Sequence, residues 1–172
     1  MKIVKYLITI SLLFNITSCV YRSEQLTKNY MHLEDQPVKT IESYLVFSPE
    51  KPTYVPINLT SETASLESYE NKEGKFQEVV YHYRNTATNQ LYNLIITYDE
   101  SQKIYNEDHI SKGRELINLN NGIKGYYEED EISQSLWWIK DGLTYRIVYF
   151  LYQGQMKIKK QELIASANSM KN

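Results

Sequence analysis

The 172-residue chain holds one cysteine, Cys19, so no disulfide forms within it and a stapled secreted scaffold is excluded. It has three histidines, His32, His82 and His109, far apart and with neither His-x-His nor His-Glu-x-x-His spacing. No metal site and no catalytic role is assigned to them, and no cofactor is implied. Glycine and proline are scarce, 6 and 4 residues, which sets aside low-complexity and collagen-like chains. Neither a Gly-x-Ser-x-Gly elbow nor a phosphate-cradling glycine loop occurs. Positive charge is not in excess: 19 basic against 21 acidic residues give a net charge of −2. Such a balance carries no electrostatic footprint for nucleic acid and no dense cationic cluster for anionic head groups. The acidic run Glu128-Glu129-Asp130-Glu131 lacks the Asp-x-Asp-x-Asp-Gly spacing of a calcium loop and reads as a solvated face.

What is present is material for one core. The chain is 42% hydrophobic and 23% charged, the composition of a folded domain. Tyrosine dominates the aromatics, with 16 Tyr against 4 Phe and 2 Trp. Tyrosine pairs high strand propensity with a polar tip, so it suits a sheet with one half-wet face.

Residues 1–18 read as a lipoprotein signal peptide. Lys2 and Lys5 are followed by an apolar run from Tyr6 to Ile16, long enough for export and too short to span a bilayer. Ile16-Thr17-Ser18-Cys19 resembles a lipobox. That resemblance implies a diacylglycerol thioether on Cys19 and cleavage before it, leaving a mature domain of net charge −4. Two acyl chains, each stabilised by about 0.8 kcal/mol per buried CH₂, anchor a protein where one chain would not. The expected address is the extracytoplasmic face of the cell membrane, through a lipid anchor (palmitate or a similar chain). Residues 19–36 lack sustained periodicity and are read as the lipidated N-terminus and tether, with one α+β domain over 37–172.

Pro37 predicts a short helix over Val38 to Tyr44, with Val38, Ile41 and Leu45 on one face. Prolines 49, 52 and 56 brace an extended surface segment or edge strand. Period-two alternation predicts strands over Thr63–Tyr69 and Phe76–Arg84, the latter with Val79, Tyr81 and Tyr83 opposite Phe76, Val80 and His82. Leu91–Tyr98 is apolar on both faces, as in a central strand. Residues 99–111 read as a polar loop, and a bent pair of strands follows around Leu116 to Tyr126. Ser135–Lys140 and Leu143–Tyr152 flank Asp141-Gly142, a type I′ hairpin signal. Lys159–Met170 reads as a helix with a Leu163, Ile164, Ala167 and Met170 stripe and no good N-cap. The expected architecture is α+β: a curved antiparallel sheet of about six or seven strands, with the C-terminal helix packed on one face.

The last third carries Asn121-Gly122-Ile123-Lys124-Gly125, Leu136-Trp137-Trp138, Asp141-Gly142-Leu143-Thr144-Tyr145 and Glu162-Leu163-Ile164-Ala165-Ser166-Ala167. Together with Phe47 through Pro56, these motifs resemble domain of unknown function 4367, an extracytoplasmic family of Gram-positive bacteria. The resemblance covers most of residues 45–170 and implies a fold similar to LolA-like lipoprotein carriers and RseB-like regulators, with no catalytic residues to transfer.

Trp137 and Trp138 point to opposite faces, because strand side chains alternate. One is expected beneath the C-terminal helix. The other, with Tyr81, Tyr83, Tyr145 and Tyr149, is a candidate to face a ligand, although packing within the fold is the favoured reading of these aromatics; Trp138 is the tryptophan assigned to the candidate set. The expected function is a non-catalytic binding or sensing module of the cell envelope, its partner an envelope protein, lipid or wall component. The alternatives are a LolA-like lipid carrier, a structural spore or envelope component and, less favoured, a wall hydrolase.

Overall fold

The computed structural model describes residues 29–102, 105–152 and 157–171. The segment read as a signal peptide and lipobox, with Cys19, lies outside the described residues. In chain order the elements are β1 (Met31–Gln36), α1 (Val38–Glu42), β2 (Lys51–Pro52), β3 (Ser61–Asn71), β4 (Gly74–Asn85), β5 (Gln90–Asp99), α2 (Glu107–Ser111), β6 (Glu115–Asn118), β7 (Lys124–Glu129), β8 (Ser133–Lys140), β9 (Leu143–Phe150), α3 (Lys160–Asn168) and β10 (Met170–Lys171).

Eight strands form one antiparallel sheet in the order β1-β3-β4-β5-β9-β8-β7-β6. Tight turns build most of it. Asp141 and Gly142 adopt positive φ values of 52° and 75°, the type I′ geometry that Asp-Gly supplies between β8 and β9. At the β3–β4 turn, Gly74 has φ 128°, and an added Cβ would meet Glu100 Cβ at 2.9 Å, so only glycine fits. One jump breaks the meander: after β5 the chain crosses to the far edge as β6, then returns strand by strand until β9 pairs with β5.

The register writes the sheet as rungs. On one face Leu66, Val79, Ile96, Tyr145 and Trp138 are successive partners, and Ala64, Tyr81, Leu94, Ile147 and Leu136 form the next rung. A third places Tyr83, Tyr92 and Tyr149 side by side. All three rungs are buried, beneath Ile41 of α1, Leu163 and Ala167 of α3, and Leu45, Phe47, Val55 and Ile57 of the proline-braced segment. This is the covered face.

The fold is α+β as expected, with two differences. Met31–Gln36 is a strand on the edge of the sheet, not tether: it pairs with β3 through Leu33↔Leu66, with a bulge before Gln36. Its short, polar sequence carries no alternation, because pairing with β3 rather than burial holds it. Residues 107–111 form α2 within the expected polar loop, capped by the Asn106 side chain accepting from His109 N–H. The added β1 brings the main sheet to eight strands. The helix expected from residue 159 spans Lys160–Asn168 and has no side-chain cap. Met170 leaves it to pair with Pro52, so the proline segment contributes a two-stranded edge.

Candidate functional site

The candidate ligand-facing tyrosines and tryptophan lie in the core. Tyr81, Tyr83, Trp138, Tyr145 and Tyr149 are at most 4% exposed, all on the covered face, and Trp138 stacks on Tyr145 at 5.2 Å between centroids. Alternation put the two tryptophans on opposite faces correctly, but the helices docked on the face assigned to ligand. The polar tips are used internally: Tyr92 Oη pairs with Ser166 Oγ at 2.5 Å, and Gln90 Nε2 donates to Tyr149 Oη at 3.1 Å.

The opposite face is uncovered only in part, its Ser65, Val80, Ile95 and Arg146 half-buried and its Trp137 and Tyr126 buried under α2, and its chemistry differs. One rung runs Ser65, Val80, Ile95, Arg146, Trp137 and Tyr126 from β3 to β7. Ile110 of α2 packs on Tyr126 and Trp137, with Tyr105 and Ile139 beside them. Over the Trp137 ring stand two guanidinium groups, Arg146 at 4.2 Å and Arg114 at 4.7 Å from the centroid. Cation–π attraction of this kind contributes about 0.5–2 kcal/mol, more as water is excluded.

Glu128 ties the cluster together. Its carboxylate accepts from Arg114 Nε at 2.7 Å, Arg114 Nη2 at 3.3 Å, Ser135 Oγ at 3.0 Å and Trp137 Nε1 at 3.1 Å. Burial alone would raise its pKa, but these donors outweigh it and hold the carboxyl below its ordinary value. Arg114 also donates to the Ile110 and His109 carbonyls at the end of α2, so the pair fixes that helix to the sheet. Arg146 is different. Its Nη2 reaches Glu128 at only 3.7 Å, and its Nε is buried with no partner among the described residues.

The remaining acidic run is occupied in the same structural way. Glu129 pairs with Lys157 and accepts from Tyr127. Asp130 accepts from the Ile132 and Ser133 N–H groups, capping a turn. Among the described residues no three His, Cys, Asp or Glu side chains converge as a metal site.

Two strands away lies a hydrogen-bond relay that sequence spacing hides. His82 Nδ1 meets Asn93 Oδ1 at 3.1 Å and His82 Nε2 meets Ser65 Oγ at 2.9 Å. Since Oδ1 only accepts, Nδ1 carries the proton, and the Ser65 hydroxyl donates to Nε2. Asp35 N–H in turn donates to Ser65 Oγ at 3.1 Å. Burial, helped by nearby Arg84, pulls the imidazole pKa below its ordinary value and keeps it neutral. The Asp35 carboxylate binds Arg84 at 2.8 Å and Thr63 at 2.9 Å. His82 stands on a half-buried strand face, as alternation predicts; the partners Ser65 and Asn93 come from two other strands and carry no motif. His32 pairs with neighbouring Glu34, and His109 packs edge-on to Tyr105.

The fold and site together define an open α+β sheet with one sealed face and one bearing a cation–aromatic cluster. The chain matches no protein-family model, no curated protein and no solved structure. Among the described residues no helix is long and apolar enough to cross a membrane.

Proposed function

We propose that this chain is a lipid-anchored, extracytoplasmic lipoprotein that binds or senses an envelope component through the uncovered face of its sheet. The membrane address rests on Ile16-Thr17-Ser18-Cys19. The observation that carries the binding role is the contrast of faces: the covered one is filled, while the other leaves Val80, Ile95 and Arg146 half-exposed along one rung beside buried Trp137. The resemblance to domain of unknown function 4367, and through it an envelope role, is supported by the turn and hairpin motifs alone. A LolA-like carrier ranks lower. It requires an apolar cavity of about 300–1,000 Å³; the hollow beside α3 holds about 50 Å³, and one of about 480 Å³ beside Phe47 and Tyr98 is bordered by Asp99, Glu100 and Asp141, so it is not apolar.

Two measurements test the proposal. Mass spectrometry of the membrane fraction should find the Cys19 peptide diacylated, and Cys19→Ala should release the domain or leave it unprocessed. A photo-crosslinker at Ile95 should trap an envelope component in intact cells, whereas one on the exposed loop residue Lys72 should not; equal capture at both would remove the docking role.

A second reading, acyl transfer, has the Ser65–His82–Asn93 relay in its favour, since nucleophile, base and orienting group stand at the required spacing. It ranks below binding for two physical reasons. A neutral Asn93 cannot stabilise an imidazolium as a carboxylate does. Ser65 Oγ is also engaged by the Asp35 N–H beneath the β1 bulge. Fluorophosphonate labelling of Ser65, lost in Ser65→Ala, would reverse the order.

A further inference from the structure

We propose that the hollow beside Arg146 binds a small monocarboxylic acid with an apolar body, the guanidinium gripping the carboxylate; this deepens the binding role proposed for the uncovered face. A guanidinium has five N–H donors, and none of those on Arg146 makes a hydrogen bond within the described chain. Its Nε is the sole buried side-chain nitrogen or oxygen left without a partner among the described residues. The nearest carboxylate oxygen, Glu128 Oε1, already accepts from Arg114, Ser135 and Trp137 and lies 3.7 Å away. Glu128 is therefore taken up mainly by Arg114, and Arg146, though 3.7 Å from that carboxylate, keeps its hydrogen-bond donors unused among the described residues.

The surroundings select the anion. Trp137 holds the guanidinium against its ring at 4.2 Å, fixing a planar fork that matches a carboxylate. Glu78 shares the hollow and accepts from Thr97 Oγ1 at 3.1 Å, and burial favours its neutral form. A single free guanidinium fork beside acidic Glu78 and Glu128 suits a monoanion and opposes a phosphate dianion. The space fits too. The hollow of about 70 Å³ is lined by Ile95, Thr97, Tyr105, Trp137 and Thr144, room for a carboxylate where a water takes about 30 Å³. It shares Thr97, Tyr105 and Thr144 with a neighbouring hollow of about 190 Å³, whose further lining sets Ile139 opposite the acidic Asp99 and Glu107 at its rim. That space takes the apolar body against Tyr105 and Ile139.

The test is calorimetric titration of the full chain in non-ionic detergent, with tryptophan emission followed in parallel. Benzoate should bind saturably at one site, at least tenfold tighter than benzamide and no weaker than phenyl phosphate. Arg146→Met should weaken benzoate at least tenfold; Arg146→Lys, which keeps charge but loses the fork, should weaken it less, with both variants melting cooperatively. N-acetylphenylalanine against its amide separates a peptide C-terminus from a free acid: tighter binding than benzoate assigns the former, weaker binding the latter. Non-saturable benzoate, equal binding of benzamide, or unchanged affinity in both Arg146 variants would overturn the inference. A chain that crosslinks through Ile95 yet ignores benzoate loses only the hollow; one that binds benzoate without crosslinking loses only the docking surface.

Discussion

The two faces of this sheet are built from the same strands, yet they solve opposite problems. On the covered face, tyrosines are as numerous as leucines in the buried core, and the hydroxyls of Tyr92, Tyr81 and Tyr149 are satisfied inside the fold by Ser166, Glu42 and Gln90. Burial accordingly pushes the Tyr145 and Tyr127 phenols up to about 12. On the other face charge is retained: two arginines share one tryptophan, a histidine is held neutral, and among the described residues one buried guanidinium Nε lacks a hydrogen-bond partner. A polar group kept half-buried and unsatisfied costs stability. The comparison teaches that the covered face carries the fold, while the uncovered face holds the features that folding alone does not require.

The largest effect should come from the covered face. Leu136 is fully buried between Ile147 and Tyr127, so Leu136→Ala should lower the unfolding free energy by about 2–5 kcal/mol in denaturant titration. A smaller loss would mean that the core collapses around the gap. On the other face Glu128→Ala removes the shared partner of Arg114, Ser135 and Trp137, and should cost about 1.5–3 kcal/mol. Hydrogen exchange at Ile110 should accelerate, since Arg114 no longer fixes α2. Tyr92→Phe, which deletes the hydroxyl bonded to Ser166, should cost about 1 kcal/mol. Equal losses for Leu136→Ala and Glu128→Ala would break the division of labour between faces.

Two pH predictions sharpen it. His82 has a folded pKa below its ordinary 6.5, chiefly through burial. The unfolded chain therefore binds the proton more tightly, and stability present above pH 6.5 is lost as pH falls through the folded value. His82→Gln should flatten that part of the melting-temperature profile. Glu78 has the reverse sign: burial raises its carboxyl above 4.5, so stability declines as pH rises from 4.5 through the folded value. Glu78→Gln should raise the melting temperature at pH 7, by less than any loss above, and leave it unchanged near pH 4. Melts across pH 4–8 check both.

Much of the covered face was legible because period two is a local property. Val79, Tyr81 and Tyr83 share a face as their spacing predicts, Asp141-Gly142 makes its turn, and Leu163 and Ala167 turn inward. The site was not legible in this way. Arg114, Glu128, Trp137 and Arg146 come from four separate stretches of chain, and the serine, histidine and asparagine of the relay come from three strands. No spacing rule links residues that meet only through register.

The sequence by itself determined which residues alternate, where the tight turns fall and that helices and strands segregate, because torsional preference and hydrophobic period act over a few neighbours. Tertiary structure alone decided which residues pack beneath which helix: Tyr81, Tyr83, Trp138, Tyr145 and Tyr149 lie in the main core, while Trp137 is buried in a smaller cluster under α2 on the other face. It also decided that Met31–Gln36 adds a strand, since an edge strand is held by a neighbour's hydrogen bonds rather than by its own side chains. Alternation defines two faces and does not label them; the label comes from what packs on each.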